Sequence, residues 1–417
     1  MKVLWLVNVK LPEISKIQGQ ENVTYTGGWL SGLYNCLIQH EQIDKLMICY
    51  PTKRKKEHGG ELKTVFVSFN ESNLNTLKNY FIDILNEFQP DIVHIHGTEF
   101  EYSYIMSKAV KECGISNKTV CSIQGLVSVY SEHFFGGIEE HIYKKRTISE
   151  YLSKNSLMDQ KKSYQKRGEL EIELIKSIPN IIGRTSWDKA CVTLINPNVR
   201  YFHCNEILRQ NFYTGTWDYD KCKKHSVMLS QGTKPIKGLH MAIKALGIVN
   251  QFYPDVTAYV AGENIFDKSS PRYGGTYARY IRNLVNENNL SDKIIFTGVL
   301  QVNEMKKMML NSNVFLLASS IENSPNSLGE AMIMGVPCIA SDVGGVMDMM
   351  APFEEGYIYP FNEYYKMAYY IMDVFSKGEN ISEMTNKASK KAKSTHDPDN
   401  NTKEMLTIYN KITQGVW

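Results

Sequence analysis

The stretch SSIENSPNSLGEAMIMGVP, residues 319–337, sets Glu322 and Glu330 on either side of seven mostly small or polar residues, where a strand gives way to a helix. The run before it, NVFLLAS (313–319), is apolar and of strand length, and a helix is expected from about Ser327 to Met334. Gly335 is a natural stop and Pro337 forbids continuation. Asn326, Ser327, Leu328 and Gly329 therefore stand at a helix amino end, where free backbone N–H groups and the helix dipole favour an anion such as phosphate. The same residues also fit a capping box, with Glu330 bonding back to Ser327 and Glu322 an ordinary loop carboxylate. The window alone leaves both readings open.

Outward from this window the pattern repeats. HSVMLSQ (225–231), TAYVAG (257–262), KIIFTG (293–298) and PCIAS (337–341) are further β-rich runs separated by helical patterns. The first half carries KVLWLVN (2–8), KLMICYP (45–51), TVFVSF (64–69), DIVHIHG (91–97), TVCSIQG (119–125), NIIGRT (180–185) and RYFHC (200–204). Apolar strands alternating with helices predict parallel sheets covered on both faces. Two such series in 417 residues predict an α/β protein of two doubly wound, Rossmann-like domains, with ligands at the carboxyl ends of the strands. The first domain is expected over 1–205, a linker over 206–224, and the second domain over 225–395. A charged helical insert is expected at about 138–177 within the first half.

Composition narrows the class. Hydrophobic residues make up 43% and charged residues 22%, as in ordinary globular proteins. A net charge of +3 gives no reason to expect nucleic acid as a partner. No apolar run reaches the length of a membrane span, and the start of the chain turns polar too soon for a signal peptide. Eight cysteines without a CxxC pair suit reduced, mostly buried thiols in a cytoplasm. No GxGxxG follows the first strand, and GTKPIKG is not a P-loop. The acidic triplet DYD (218–220) spells a metal-binding motif but lies in the linker instead of at a buried strand end, so it is not read as a metal site.

Glu-x7-Glu, the following AMIMGVPCIASDVGG and the preceding IIFTGVLQVNEMKKMMLNSNVFLLASS together resemble the family 4 retaining glycosyltransferases of the GT-B fold. The resemblance is specific over about 225–395. It is looser in the first half, where TGGW (26–29), PDIVHIHG (90–97) and SIQG (122–125) keep the family's order, and GRTSWDKA (183–190) looks like a branch that builds bacterial surface polysaccharides. It implies two domains facing a central cleft, and a final helix over 396–417 returning to the first domain. The donor is a nucleoside diphosphate sugar, with uridine ranked ahead of guanosine, and neither a cofactor nor an obligatory metal is implied. The acceptor is a glycan or a polyprenyl-diphosphate-linked glycan. Two other readings are a sugar-nucleotide epimerase on the same fold and a non-catalytic GT-B-like binding protein.

Residue by residue, the resemblance implies that Glu330 holds the ribose hydroxyls, that Glu322 faces the donor sugar, and that Asn323, Ser324, Pro325, Asn326, Ser327 and Leu328 line sugar and diphosphate. Gly298, Val299 and Leu300 would border the base, and Gly27 and Gly28 would bring backbone N–H groups to the diphosphate. Lys237 matches the family lysine that stabilises the leaving group. The family arginine falls on Gly232, or on Gln231 after a one-residue slip, and Lys234 is the candidate to replace its charge. Toward the acceptor stand His96, Gln124 (where the family often has histidine) and Arg184; the plainer account of Arg184 is a surface ion pair. His94 reads as a satisfied core histidine. Basic clusters at 51–60 and 143–167 suggest peripheral docking on the inner leaflet, against the alternative of a solvated face balanced by Glu139, Glu140, Glu150 and Asp159.

Overall fold

The computed structural model describes residues 1–20, 28–53 and 56–416. Its contacts group into two compact units: 1–129, 165–209 and 396–417 in one, and 130–164 with 210–395 in the other.

The first unit is built on β1 (Lys2–Leu6), β2 (Lys45–Thr52), β3 (His58–Glu61), β4 (Thr64–Asn70), β5 (Ile92–His96), β6 (Thr119–Ser122), β7 (Asn180–Gly183) and β8 (Arg200–His203). They form one sheet in the order β3-β4-β2-β1-β5-β6-β7-β8, parallel except for β3. Strand alternation divides the core. Leu4 and Leu6 pack with the helix Leu74–Phe88, whereas Val3, Trp5 and Val7 pack with the helices Gly28–Gln39 and Pro398–Gln414. The last helix is stitched into this unit by Tyr409, whose hydroxyl takes the Trp5 indole N–H at 3.0 Å and meets His94 Nδ1 at 2.7 Å.

The second unit contains β9 (Lys223–Leu229), β10 (Thr257–Val260), β11 (Ile294–Phe296), β12 (Ser312–Leu317), β13 (Cys338–Asp342) and β14 (Tyr357–Pro360). Their order is β11-β10-β9-β12-β13-β14, all parallel. The chain leaves β9 toward β10 on one side, and β12 flanks β9 on the other. A topological switch point thus opens at the carboxyl ends of β9 and β12, and an equivalent one lies at β1 and β5 in the first unit.

Two strands lack a sequence forecast. β3 (HGGE) is an exposed antiparallel edge with no apolar residue, and β14 (YIYP) is only four residues long. The expected insert is three helices, Glu140–Tyr143, Ile148–Ser153 and Leu157–Ser177, and the segment 130–164 groups with the second unit instead of the first. All eight cysteines are free thiols. No helix among the described residues is long and apolar enough to cross a membrane.

Candidate active site

At the second unit's switch point, β9 feeds a loop that ends in the short turn Pro235–Lys237, and β12 feeds the loop 318–325. The two loops are bonded to each other. Ser320 N–H donates to the Ile236 carbonyl at 2.8 Å, and Lys237 Nζ lies 2.6 Å from Glu322 Oε1. The same carboxylate oxygen accepts from Ser319 Oγ at 2.7 Å. Glycines set the closeness of this packing. Gly238 has φ +68°, and a Cβ there would stand 1.7 Å from the Ala318 carbonyl oxygen; Gly344 has φ +53°, and its Cβ would stand 1.8 Å from the Glu322 carbonyl oxygen. Only glycine permits either approach. The ammonium of Lys237 carries three donors, so bonding to Glu322 leaves capacity for an anion, and its side chain is about a quarter exposed.

The helix after the loop is Asn326–Ile333, with Pro325 at its N-cap and no side-chain cap. Glu330 is its fifth residue and only 2% exposed, and Ser327 lies inside the helix with Pro325 at the N-cap, so the two do not occupy capping-box positions. Ser327 Oγ accepts from Ser230 Oγ at 3.1 Å. Leu328 N–H donates to the Pro325 carbonyl at 2.9 Å, and the positive end of the helix dipole favours an anion here. Not every amide of the loop is available: Asn323 N–H donates to the Tyr130 hydroxyl at 2.9 Å. Ser324 and Leu328 are buried, while Pro325, Asn326 and Ser327 are half-buried. Gly298 has φ +75° and pairs with Gly262, and Val299 beside it is 80% exposed, an apolar side chain left open.

The departures from the family pattern have a structural side. Gly232 is buried, and a Cβ there would stand 2.6 Å from Val260 Cγ1 and 3.0 Å from Leu239 Cδ2. Gln231 is exposed. Lys234 is exposed and borders a cavity of ≈ 470 Å³ together with Lys154, Arg272 and Tyr164.

The first unit brings His96, Gln124 and Arg184 to one pocket near its own switch point, with Trp29 and Glu206 as further walls. His94 is satisfied, with Ser122 Oγ 2.6 Å from its Nε2 in addition to the bond with Tyr409. His96 stacks on it at 3.7 Å between ring centroids, and burial holds the His96 imidazole down at about 3, hence neutral. Arg184 is not the surface ion pair of the plainer account. It is buried, pairs with Glu206 at 2.9 Å, and donates to the carbonyls of Ile123 and Gln124, each at 3.0 Å. Gly28 begins its helix with the Arg209 stem packed where a Cβ would be, at 2.4 Å, and Gly27 lies outside the described residues. Tyr130, Trp29 and Glu206 escaped the sequence reading, because their partners are remote in the chain. Gly344 also escaped it, although it stands in the DVGG that closes the quoted motif.

Residues 220–395 match the family model described as glycosyl transferases group 1. Over 95 residues the chain is 30% identical to the provisionally assigned colanic acid biosynthesis glycosyltransferase WcaL of Salmonella typhimurium, covering 21% of this chain and 23% of that protein. Its Escherichia coli K12 counterpart is 26% identical over 133 residues, 30% of each chain. The matches thus span about a quarter to a third of those relatives' length. In fold the likeness runs through the whole chain. Sucrose-phosphate synthase from Thermosynechococcus elongatus superposes with a TM-score of 0.73 at 14% identity, covering 100% of both chains. Anabaena HepE, solved in complex with UDP-glucose, gives 0.68 at 15%, covering 99% of this chain and 100% of its own. Two parallel-sheet α/β domains of the GT-B fold account for these superpositions.

Proposed function

We propose, from the premise that this chain belongs through residues 220–395 to the group 1 glycosyl transferases, that it transfers a sugar from a nucleoside diphosphate sugar to a glycan or lipid-linked glycan, with retention of configuration. The observation that carries the reading is the Lys237–Glu322 pair at the switch point, beside the amino end of Asn326–Ile333. Such a site would set a cation and the positive end of a helix dipole where diphosphate charge develops as the glycosidic bond breaks. Glu330 is the ribose anchor, since two carboxylate oxygens match two neighbouring hydroxyls. A uridine nucleotide is favoured by the HepE likeness, because that protein was solved with UDP and with UDP-glucose.

In the proposed reaction the acceptor oxygen bonds to the anomeric carbon on the face from which the diphosphate departs. The acceptor's proton passes to the leaving phosphate oxygen. Gln124 cannot titrate, and burial disfavours the protonated form of His96 and makes it a weak proton acceptor near pH 7. The chemistry then rests on leaving-group stabilisation, for which Lys237 is the proposed cation; Lys234, at the rim of a separate cavity, is a weaker candidate.

Membrane docking through the segment 143–163 is part of the proposal. On the helix Ile148–Ser153, Ile148, Tyr151 and Leu152 are 82%, 68% and 76% exposed, and their i, i+3, i+4 spacing puts them on one face. Of the acids set against the nearby bases, Glu150 turns inward to Thr276, at 2.8 Å from its N–H and 2.6 Å from its hydroxyl, whereas Glu140 pairs with Lys144 and Asp159 lies 3.6 Å from Arg146. An apolar face in a segment that also carries the exposed Lys145, Lys154 and Lys162 suits an anionic bilayer.

The test is a donor-hydrolysis and transfer screen over common nucleotide sugars. Nucleoside diphosphate released with a glycan acceptor supports the reading. Interconversion of the donor sugar without acceptor would make the protein an epimerase, and no nucleotide bound at all would make it a non-catalytic binder.

A further inference from the structure

We infer that the first unit's pocket recognises the acetamido group of the acceptor sugar. The inference rests on the glycosyl transfer proposed above and adds the class of acceptor. The pocket encloses ≈ 30 Å³. On this measure about 10–15 Å³ seats one water, so the space admits two or three heavy atoms and no sugar ring. Whatever enters is a small substituent, with its ring left at the mouth.

Charge narrows the substituent. The only ionised side chains in the described lining are Arg184 and Glu206, and they neutralise each other at 2.9 Å with both largely buried. His96 is neutral. A carboxylate or phosphate would be desolvated beside Glu206 without a spare cation, and an ammonium would face the mirror problem at Arg184. The entering group is therefore uncharged.

Hydrogen bonding and shape narrow it further. Trp29 Nε1, Arg184 Nε and His96 Nε2 are buried without a hydrogen-bond partner among the described residues. The first two can only donate, and a neutral imidazole nitrogen can carry its proton. The remaining walls are mostly apolar, among them Leu30, Leu33, Ile123, Ile182 and Ile207. A methyl group alone leaves the donors unmet, and a hydroxymethyl, whose oxygen can accept and whose proton the Glu206 carboxylate could take, offers no methyl to the apolar walls. An acetamido group presents a carbonyl oxygen with two lone pairs and a methyl for the apolar wall. Its three acetyl heavy atoms match the enclosed volume.

Saturation-transfer NMR on the full chain tests this with methyl glycosides of N-acetylglucosamine, glucose and fucose, and UDP-induced thermal shift as a separate channel. The expected result is transfer strongest at the acetyl methyl. In Trp29→Phe, which keeps the ring and removes the N–H, affinity for the acetamido glycoside falls roughly three- to tenfold, the worth of one hydrogen bond, with the UDP shift unchanged. Equal saturation of all three glycosides, or an acetyl methyl weaker than the ring protons, overturns the inference. Loss of the UDP shift in the wild-type protein would instead strike the glycosyl transfer reading, leaving the acetyl subsite to stand or fall on the NMR result.

Discussion

The carbonyl oxygen of Ala318 lies 1.7 Å from where a Cβ of Gly238 would be, so the backbone after β12 touches the backbone after Lys237 with no room for a methyl group. This contact, not a side-chain bond, sets the spacing across which Lys237 meets Glu322.

Gly238→Ala is expected to destabilise the protein by about 2–5 kcal/mol, combining a left-handed backbone penalty with overpacking against main chain. Gly298→Ala is the matched control: φ is +75°, with nothing within 4 Å of its Cβ position. It should cost only about 1–2 kcal/mol, the backbone penalty alone. Urea denaturation of the two variants reads the difference, and equal losses would remove the close approach as the cause.

Lys237→Ala should lower kcat by about 10²–10³-fold, the range seen when one preorganised charge-stabilising donor is lost. KM for the donor should move less, since the contact strengthens as the bond breaks. Steady-state kinetics with the active donor decides; an unchanged kcat would dismiss the leaving-group role.

Restoring the family arginine should fail at one position. Gly232→Arg must displace Val260 Cγ1 and Leu239, so it is expected to lower thermal stability and leave turnover no higher. Gln231→Arg, on an exposed residue, should fold normally. A stable and faster Gly232→Arg enzyme would show that the loop moves freely.

Burial pushes the Glu99 carboxyl up to about 8, the nearby Glu171 adds to this, and Arg167 and Arg184 oppose it. The folded state therefore holds a proton that the unfolded chain releases near its ordinary value of about 4.5. Its contribution is fully present below that value and is lost as pH rises toward 8. Glu99→Gln keeps the neutral shape and should narrow the fall in Tm between pH 5 and pH 8. His96 runs oppositely, because its folded value of about 3 lies below its ordinary 6.5, and its contribution is lost as pH falls through that window. Melting curves of Glu99→Gln with a pH dependence identical to wild type would contradict the assignment.

On vesicles containing an anionic lipid, the double variant Ile148→Ser and Leu152→Ser should bind at least about tenfold more weakly, given roughly 1.5–3 kcal/mol for each large apolar side chain fully buried. Binding should also weaken with salt, as the lysine contribution is screened. Co-sedimentation indistinguishable from wild type would exclude this face as the anchor.

Much of the fold was legible from local pattern. Apolar strands at parallel-sheet spacing, the Gly335 stop and the Pro337 break lie within a few residues of the effects they cause, so periodicity and turn chemistry suffice to read them. His94 was also legible, because period-2 alternation placed it inside β5. What tertiary structure alone decided were the pairings over long sequence separation: Lys237 with Glu322, Tyr130 with Asn323, Arg184 with Glu206, and the segment 130–164 with the second unit. No local spacing encodes such contacts. They follow from which strands become neighbours, and burial and charge at each site are consequences of that arrangement.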